Sequence, residues 1–237
     1  MRKLIMFVLL LASFNSFGQV QKTTGAKVTD KSIVKSEDGT AYPYAVWSKL
    51  LESGQYSLRS APADEWVIFR LSPEQAERNL EMRKKAIQNM PRPRASEAFV
   101  EGEKFKGDRF SSLNKEKFDL KINTGKVYVL NFWFINCPPC KKEIPELNEL
   151  VKQYKDNKDV VFLAVALDGA SDLKEFLKTM PFDYHIIPDG RYYTQKYGVT
   201  GYPTHVIVGK DGLIKFSTLG LAGNTVSWIG KTIKEQL

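Results

Sequence analysis

Val129-Leu130-Asn131-Phe132-Trp133-Phe134-Ile135-Asn136-Cys137-Pro138-Pro139-Cys140 passes from an almost continuous apolar run into two closely spaced cysteines. Residues 127–134 have the length and composition of a strand buried on both faces. Over residues 144–154 the apolar positions Ile144, Leu147, Leu150, Val151 and Tyr154 recur at helical spacing. The cysteines therefore stand where a strand gives way to a helix, with Cys137 at the helix N-terminus and Cys140 one turn in. Unsatisfied N–H groups and the positive dipole end favour a thiolate there. Cys137 is thus the expected attacking nucleophile, partly exposed, and Cys140 the more buried resolving thiol.

Cys137 and Cys140 are the only cysteines of the chain. Closing so short a loop removes little entropy from the unfolded chain, so the pair reads as chemistry rather than a staple. Cys137 would form a mixed disulfide with a partner's cystine, and Cys140 would resolve it by attacking Cys137. Pro138 and Pro139 fix φ and remove two backbone donors beside Cys137. The sequence alone gives no sign for their effect on the redox potential.

A CxxC pair also occurs in metal and haem sites. No histidine follows Cys140, which excludes covalent haem attachment of the c type. A peroxidase would need a threonine three residues before its cysteine, and Phe134 stands there. A copper or zinc carrier using Cys137 and Cys140 with His205 is the alternative from another class, as is a dithiol oxidase or isomerase. The chain has two histidines, and His185 and His205 read more simply as core or surface residues.

Downstream, residues 160–167 form a second buried strand, and Ser171 is placed to cap a helix through residue 179, with Asp172 in its first turn. A short extended segment over 184–187 and a short helix over 192–197 follow. Residues 204–208 and 213–218 read as a hairpin turned by Lys210-Asp211-Gly212, and Asn224 as the cap of a last helix. The pattern is α/β, a mixed sheet flanked by helices in the thioredoxin arrangement, preceded by a small α+β region. Gly201-Tyr202-Pro203-Thr204 lies just before the hairpin strand. A proline there is expected to be cis and to face the CxxC, leaving the Tyr202 backbone to pair with an extended substrate segment.

Residues 129–147, with 201–204 downstream, resemble the TlpA/ResA-type thiol-disulfide oxidoreductases over about residues 98–237. The resemblance implies a thioredoxin-like domain facing the periplasm or outer membrane surface. It further implies reduction of exported client proteins, apocytochromes c among them, with electrons from a membrane thiol donor. No cofactor is expected beyond the redox-active disulfide of Cys137 and Cys140. The family's helix glutamate falls on Glu143, where a carboxyl can relay protons and raise a nearby thiol pKa. Asn131 stands where cytosolic thioredoxins place a buried aspartate. Asn136 replaces the tryptophan common before the first cysteine, and a bulky Tyr202 precedes Pro203. With Pro138 these residues are the expected border of the substrate groove. Trp133 and Phe132 are explained by core packing.

At the other end, Arg2 and Lys3 precede an apolar run over residues 4–12, with the small residues Ser16 and Gly18 before Gln19. Residues 1–18 are expected to be a cleaved export signal, which implies a periplasmic protein, membrane-anchored only if the segment stays uncleaved. No cysteine lies near the cleavage position, so a lipid anchor is not expected. The 237 residues exceed one minimal domain of about 100–150. A small α+β region is expected over 19–95: a helix near 42–51, strands at 55–59 and 66–71, and a helix from Pro73 to about 90. Pro91, Pro93 and the polar stretch 92–97 mark a linker to a domain over 98–237. The N-terminal region carries no chemical motif and is a candidate client-docking module. The formal charge of +8 is spread among almost as many acids, which argues against a nucleic-acid partner.

Overall fold

The computed structural model describes residues 28–62, 65–122 and 125–237, in two compact units divided between Leu80 and Glu81. The export signal expected over residues 1–18 lies outside the described residues, as do Ala63 and Asp64 of the first unit's strand connection. No helix among the described residues is long and apolar enough to cross a membrane.

In the first unit, β1 (Val34–Ser36), β2 (Ala41–Tyr42), β3 (Tyr56–Ser60) and β4 (Trp66–Arg70) form a sheet in the order β2-β1-β4-β3. The outer pairs are antiparallel and β1 runs parallel to β4. Helix α1 (Tyr44–Glu52) contributes Trp47, which is buried with Val34 and Ile68 in a small core. Helix α2 (Pro73–Gln88) starts with the ring whose fixed φ suits a first turn, and the division between units falls inside it. The strands β1 and β2 were not anticipated, since segments this short carry no readable period.

The second unit is built on a five-stranded sheet, β11-β10-β7-β8-β9. Its members are β7 (Val127–Trp133), β8 (Val160–Ala166), β9 (His185–Ile187), β10 (Thr204–Val208) and β11 (Ile214–Leu219). β7, β8 and β9 are parallel, while β10 is antiparallel to both β7 and β11. Every residue of β7 is buried, as its central place demands. Alternation along the strands separates two cores. Val127, Val129 and Trp133 join Ile144, Leu147 and Leu150 of α3 (Pro138–Gln153), Leu173 of α4 (Ala170–Thr179), and Ile229 and Ile233 of α6 (Thr225–Gln236). Tyr128, Leu130 and Phe132 face Phe99, Phe105, Phe110 and Val199, with Tyr193 and Tyr197 of α5 (Arg191–Tyr197) packed against them. Burial of each large apolar side chain contributes about 1.5–3 kcal/mol. A separate hairpin of β5 (Arg109–Ser111) and β6 (Lys117–Asp119), also too short to read in sequence, brings Phe110 to this face.

Several local readings change. The linker stretch is packed onto the second unit: Arg94 O accepts the Leu219 N–H and the Thr218 hydroxyl, and the Arg92 guanidinium lies over the Phe216 and Trp228 rings. Ser171 does not cap α4, which begins one residue earlier with Gly169 at its N-cap. Asn224 occupies the α6 N-cap without a side-chain cap bond, because its amide donates to Met90 O and Pro91 O. Helix α3 begins at Pro138 and holds Pro145 in its interior, where the missing N–H interrupts the ladder. The hairpin turn is as expected: Gly212 has φ of 79°, a left-handed conformation that favours glycine, and Asp211 accepts the Leu213 N–H.

Candidate active site

The segments that leave the parallel strands β7 and β8 and the segment that enters antiparallel β10 lie at one edge of the second unit's sheet and form the site. β7 runs out through Phe134, Ile135 and Asn136 to Cys137, the N-cap of α3. Cys137 and Cys140 form a disulfide with their Cα atoms 5.3 Å apart. Pro138 and Pro139 hold the first two helical positions and have no N–H. The first amide that α3 offers is therefore that of Cys140, and it donates to Cys137 Sγ at 3.3 Å.

Antiparallel pairing of Thr204 with Phe132 brings the segment before β10 to the end of β7. There the Tyr202-Pro203 peptide bond is cis. The Tyr202 ring meets Phe134 edge to face at 5.3 Å between centroids. Asn136 and Pro138, on either side of Cys137 in the chain, are exposed; Tyr202 is half-buried and Pro203 buried. The end of β8 completes the edge, with Asp168 Oδ2 accepting the Ile135 N–H at 2.7 Å.

The first cysteine is more enclosed than expected. Cys137 is only 2% exposed in the disulfide form, against 0% for Cys140, and both belong to the core against which Phe134, Ile135 and Tyr202 pack. The expectation of a partly exposed Cys137 is corrected: Cys137 is enclosed in a core whose apolar neighbours a helix-start argument does not include.

Glu143 lies three residues beyond Cys140 on the same buried face of α3 and is 2% exposed. Its Oε1 accepts a hydrogen bond from Asn131 Nδ2 at 3.3 Å and shares one with His205 Nε2 at 3.0 Å. His205 and Asn131 are cross-strand partners on β10 and β7, so both side chains leave the sheet on the face that α3 covers. Partial desolvation raises the carboxyl of Glu146, which stays exposed, and the Glu143 charge adds to it. Tyr184 is raised well above the usual tyrosine range by burial first, then by Glu143.

Sequence reasoning did not single out Asp168, and it weighed His205 only as a metal ligand or a core or surface residue. Asp168 carried no signal, because its role is a tertiary bond to a distant backbone amide. His205 was legible in part: it follows Thr204 in a buried strand, where alternation turns it to the opposite face of the sheet, while its place beside Asn131 is a matter of register. Among the described residues no group of three or more His, Cys, Asp or Glu side chains is arranged to hold a metal ion.

Comparison with known proteins places this geometry among relatives. A family model described as the AhpC/TSA family matches residues 102–217. The thiol-disulfide oxidoreductase ResA of Bacillus thuringiensis subsp. konkukian (strain 97-27) is 36% identical over 106 residues, covering 44% of this chain and 61% of the relative. The thioredoxin-like protein YneN of Bacillus subtilis (strain 168) is 31% identical over 117 residues, covering 48% of this chain and 69% of the relative. The chain thus spans less than two thirds of the length of the ResA it matches. Among solved structures, a candidate thiol:disulfide interchange protein DsbE from Chlorobium tepidum superposes with a TM-score of 0.52 at 24% identity, covering 58% of this chain and 98% of that one. A candidate protein disulfide isomerase from Bacteroides thetaiotaomicron gives 0.54 at 20%, covering 61% and 94%. At these identities the two structures speak for the fold alone.

Proposed function

The chain belongs to the thioredoxin-like family, and from that membership and its similarity to the ResA proteins we propose that it is an exported thiol-disulfide oxidoreductase that reduces disulfides in exported client proteins. The observation that carries the reading is the Cys137–Cys140 disulfide at the start of α3, at the sheet edge where Tyr202 and Pro203 also lie.

In the dithiol form, the Cys140 amide and the N-terminal end of α3 stabilise a Cys137 thiolate. The thiolate attacks a client disulfide, forming the Cys137–client bond as the client's own S–S bond breaks. Cys140 then gives up its proton and attacks Cys137 Sγ; the client sulfur leaves with the electron pair and is protonated. The client is reduced by two electrons and the pair oxidised by two. Glu143, on the face of α3 that carries Cys140, serves as the proton acceptor. Asn136, Pro138, Tyr202 and Pro203 border the groove in which the client segment lies as an added strand. The redox-active disulfide is the only cofactor this cycle needs, and a membrane thiol donor renews it.

Residues 1–18 direct export to the periplasm in this reading, with apocytochromes c among the fitting clients, and the N-terminal region over residues 19–95 docks the client. The test is the equilibrium redox potential of the Cys137/Cys140 pair in the mature protein, titrated against dithiothreitol or glutathione with thiol trapping. A value near or below about −250 mV supports the reductase; one near −120 mV makes the protein an oxidant of folding clients. Failure of the two thiols to form their disulfide reversibly would sink both readings.

A further inference from the structure

Three polar side chains from three elements meet at one buried spot on the face of α3 that also carries Cys140: Glu143 of α3, Asn131 of β7 and His205 of β10, exposed by 2%, 1% and 0%. Glu143 Oε1 takes part in both of their hydrogen bonds. Glu143 Oε2 and His205 Nδ1 have no partner among the described residues. A buried polar atom left unpaired has given up its water with no bond in return. For stability alone, an apolar pair at these two positions would serve the core at least as well. Such an arrangement calls for a functional reason.

Resting on the reading in which Glu143 takes the Cys140 proton, we propose that His205 is a positioning residue of the redox centre: it holds Oε1 of Glu143 so that Oε2 is presented to Cys140. The placement fits the task. Cys140 and Glu143 are three residues apart on one helix face, and both are sealed from water. His205 is fixed on a buried strand, paired with Asn131 on one side and Thr218 on the other. Oε1 is committed to groups on the sheet, which leaves Oε2 as the free oxygen. When Cys140 Sγ bonds to Cys137 Sγ, the proton of the Cys140 thiol passes to Glu143, the Cys137–client bond breaks, and the electron pair leaves on the client sulfur.

The titratable groups whose interaction with the carboxyl is seen are Glu146 from its own helix, His205 from β10 and Tyr184 from the segment entering β9, and Cys140 lies one turn before it on the same buried face. Asn131 adds an amide dipole, and the Thr218 hydroxyl on β11 is committed to Arg94 O.

The full chain in its dithiol form, mixed with 5,5′-dithiobis(2-nitrobenzoate) in a stopped-flow instrument, separates the two thiols. The first thionitrobenzoate released reports attack by Cys137, and the second reports attack by Cys140 on the mixed disulfide. His205→Leu is expected to slow the second release relative to the first by at least about ten-fold near neutral pH and to displace its pH profile. His205→Gln, whose amide can still donate to Oε1, recovers most of the rate. Glu143→Gln slows the second release, and adding His205→Leu to it slows it no further, since the two act as one unit. If His205→Leu fails to fold, His205→Asn, too short to reach Oε1, is judged by the same criterion. An unchanged second release in the histidine variant beside a slowed Glu143→Gln would overturn the proposal and leave the role of Glu143 standing. An unchanged release in both would remove the Glu143 reading as well.

Discussion

The backbone N–H of Ile135 donates to Asp168 Oδ2 at 2.7 Å, tying the segment that leads to Cys137 to the residue just beyond the end of β8. Asp168 is held in turn, since its carbonyl accepts the Asp189 N–H at 3.0 Å. Two neighbouring strand ends are thereby linked across the edge at which the disulfide lies.

Asp168→Ala leaves the Ile135 amide without its acceptor, a loss of about 1–3 kcal/mol. The urea midpoint of the second unit should fall accordingly, and dithiothreitol should reduce the disulfide faster as Phe134 and Ile135 loosen over Cys137. Asp168→Asn keeps an acceptor oxygen and should recover most of both effects. Equal behaviour of the two variants would show that the bond is incidental.

Pro139 occupies the second helical position, where an amide N–H would point at the N-cap side chain. Pro139→Ala supplies that second donor to the Cys137 thiolate. Stabilising the reduced form makes the potential less negative, by about 10–40 mV if the bond contributes about 0.5–2 kcal/mol. The same variant should carry a lower Cys137 pKa, read from the pH dependence of iodoacetamide alkylation. A potential moved downward would contradict this account of the helix terminus.

Gly190 has an ordinary φ of −70°, so space rather than backbone freedom demands glycine. A Cβ there would stand 2.6 Å from Val165 Cγ1 and 2.7 Å from Ala166 O. Gly190→Ala should cost about 1–3 kcal/mol, seen as a lowered thermal midpoint. Gly169→Ala is the control, because its Cβ would meet only Asp189 Oδ1 at 3.7 Å. Comparable losses in the two variants would refute the packing argument.

Burial alone pushes the Asp108 carboxyl up, but the Lys196 hydrogen bond, the Arg109 amide and the charges of Lys196 and Lys121 hold it below the usual carboxylate range. A carboxyl depressed in the folded state contributes stability above its unfolded pKa of about 3.9, and that contribution is lost as pH falls through the folded value. Lys196→Met should therefore be less stable than the parent at pH 7, with the gap narrowing below about pH 4. Loss of the Lys196 contact with the Tyr197 ring adds an offset that does not change over this range. Urea midpoints down the acid limb that stay a fixed distance apart would rule out the ion pair as the cause.

The strand-to-helix junction at Cys137, the buried strands β7 and β8, and the Asp-Gly hairpin were legible because each is written locally. An apolar run, a helical period or a turn dipeptide acts within a few residues of itself. Ser171 misled for the same reason: it is a good cap by local preference, yet Gly169 stands at the N-cap of α4, whereas Asn224 does stand at the N-cap of α6 but spends its amide on the carbonyls of Met90 and Pro91.

By itself the sequence determined the α/β order of elements, the place of the cysteine pair at the start of a helix, and the proline segment that precedes the hairpin. Only the tertiary structure decided that Cys137 is covered, that Asp168 holds Ile135, and that Glu143, Asn131 and His205 share one buried spot. The physical reason is sequence distance. Those outcomes depend on which strand lies beside β7 and in what register, and pairing Asn131 with His205 joins residues whose separation no local period can encode.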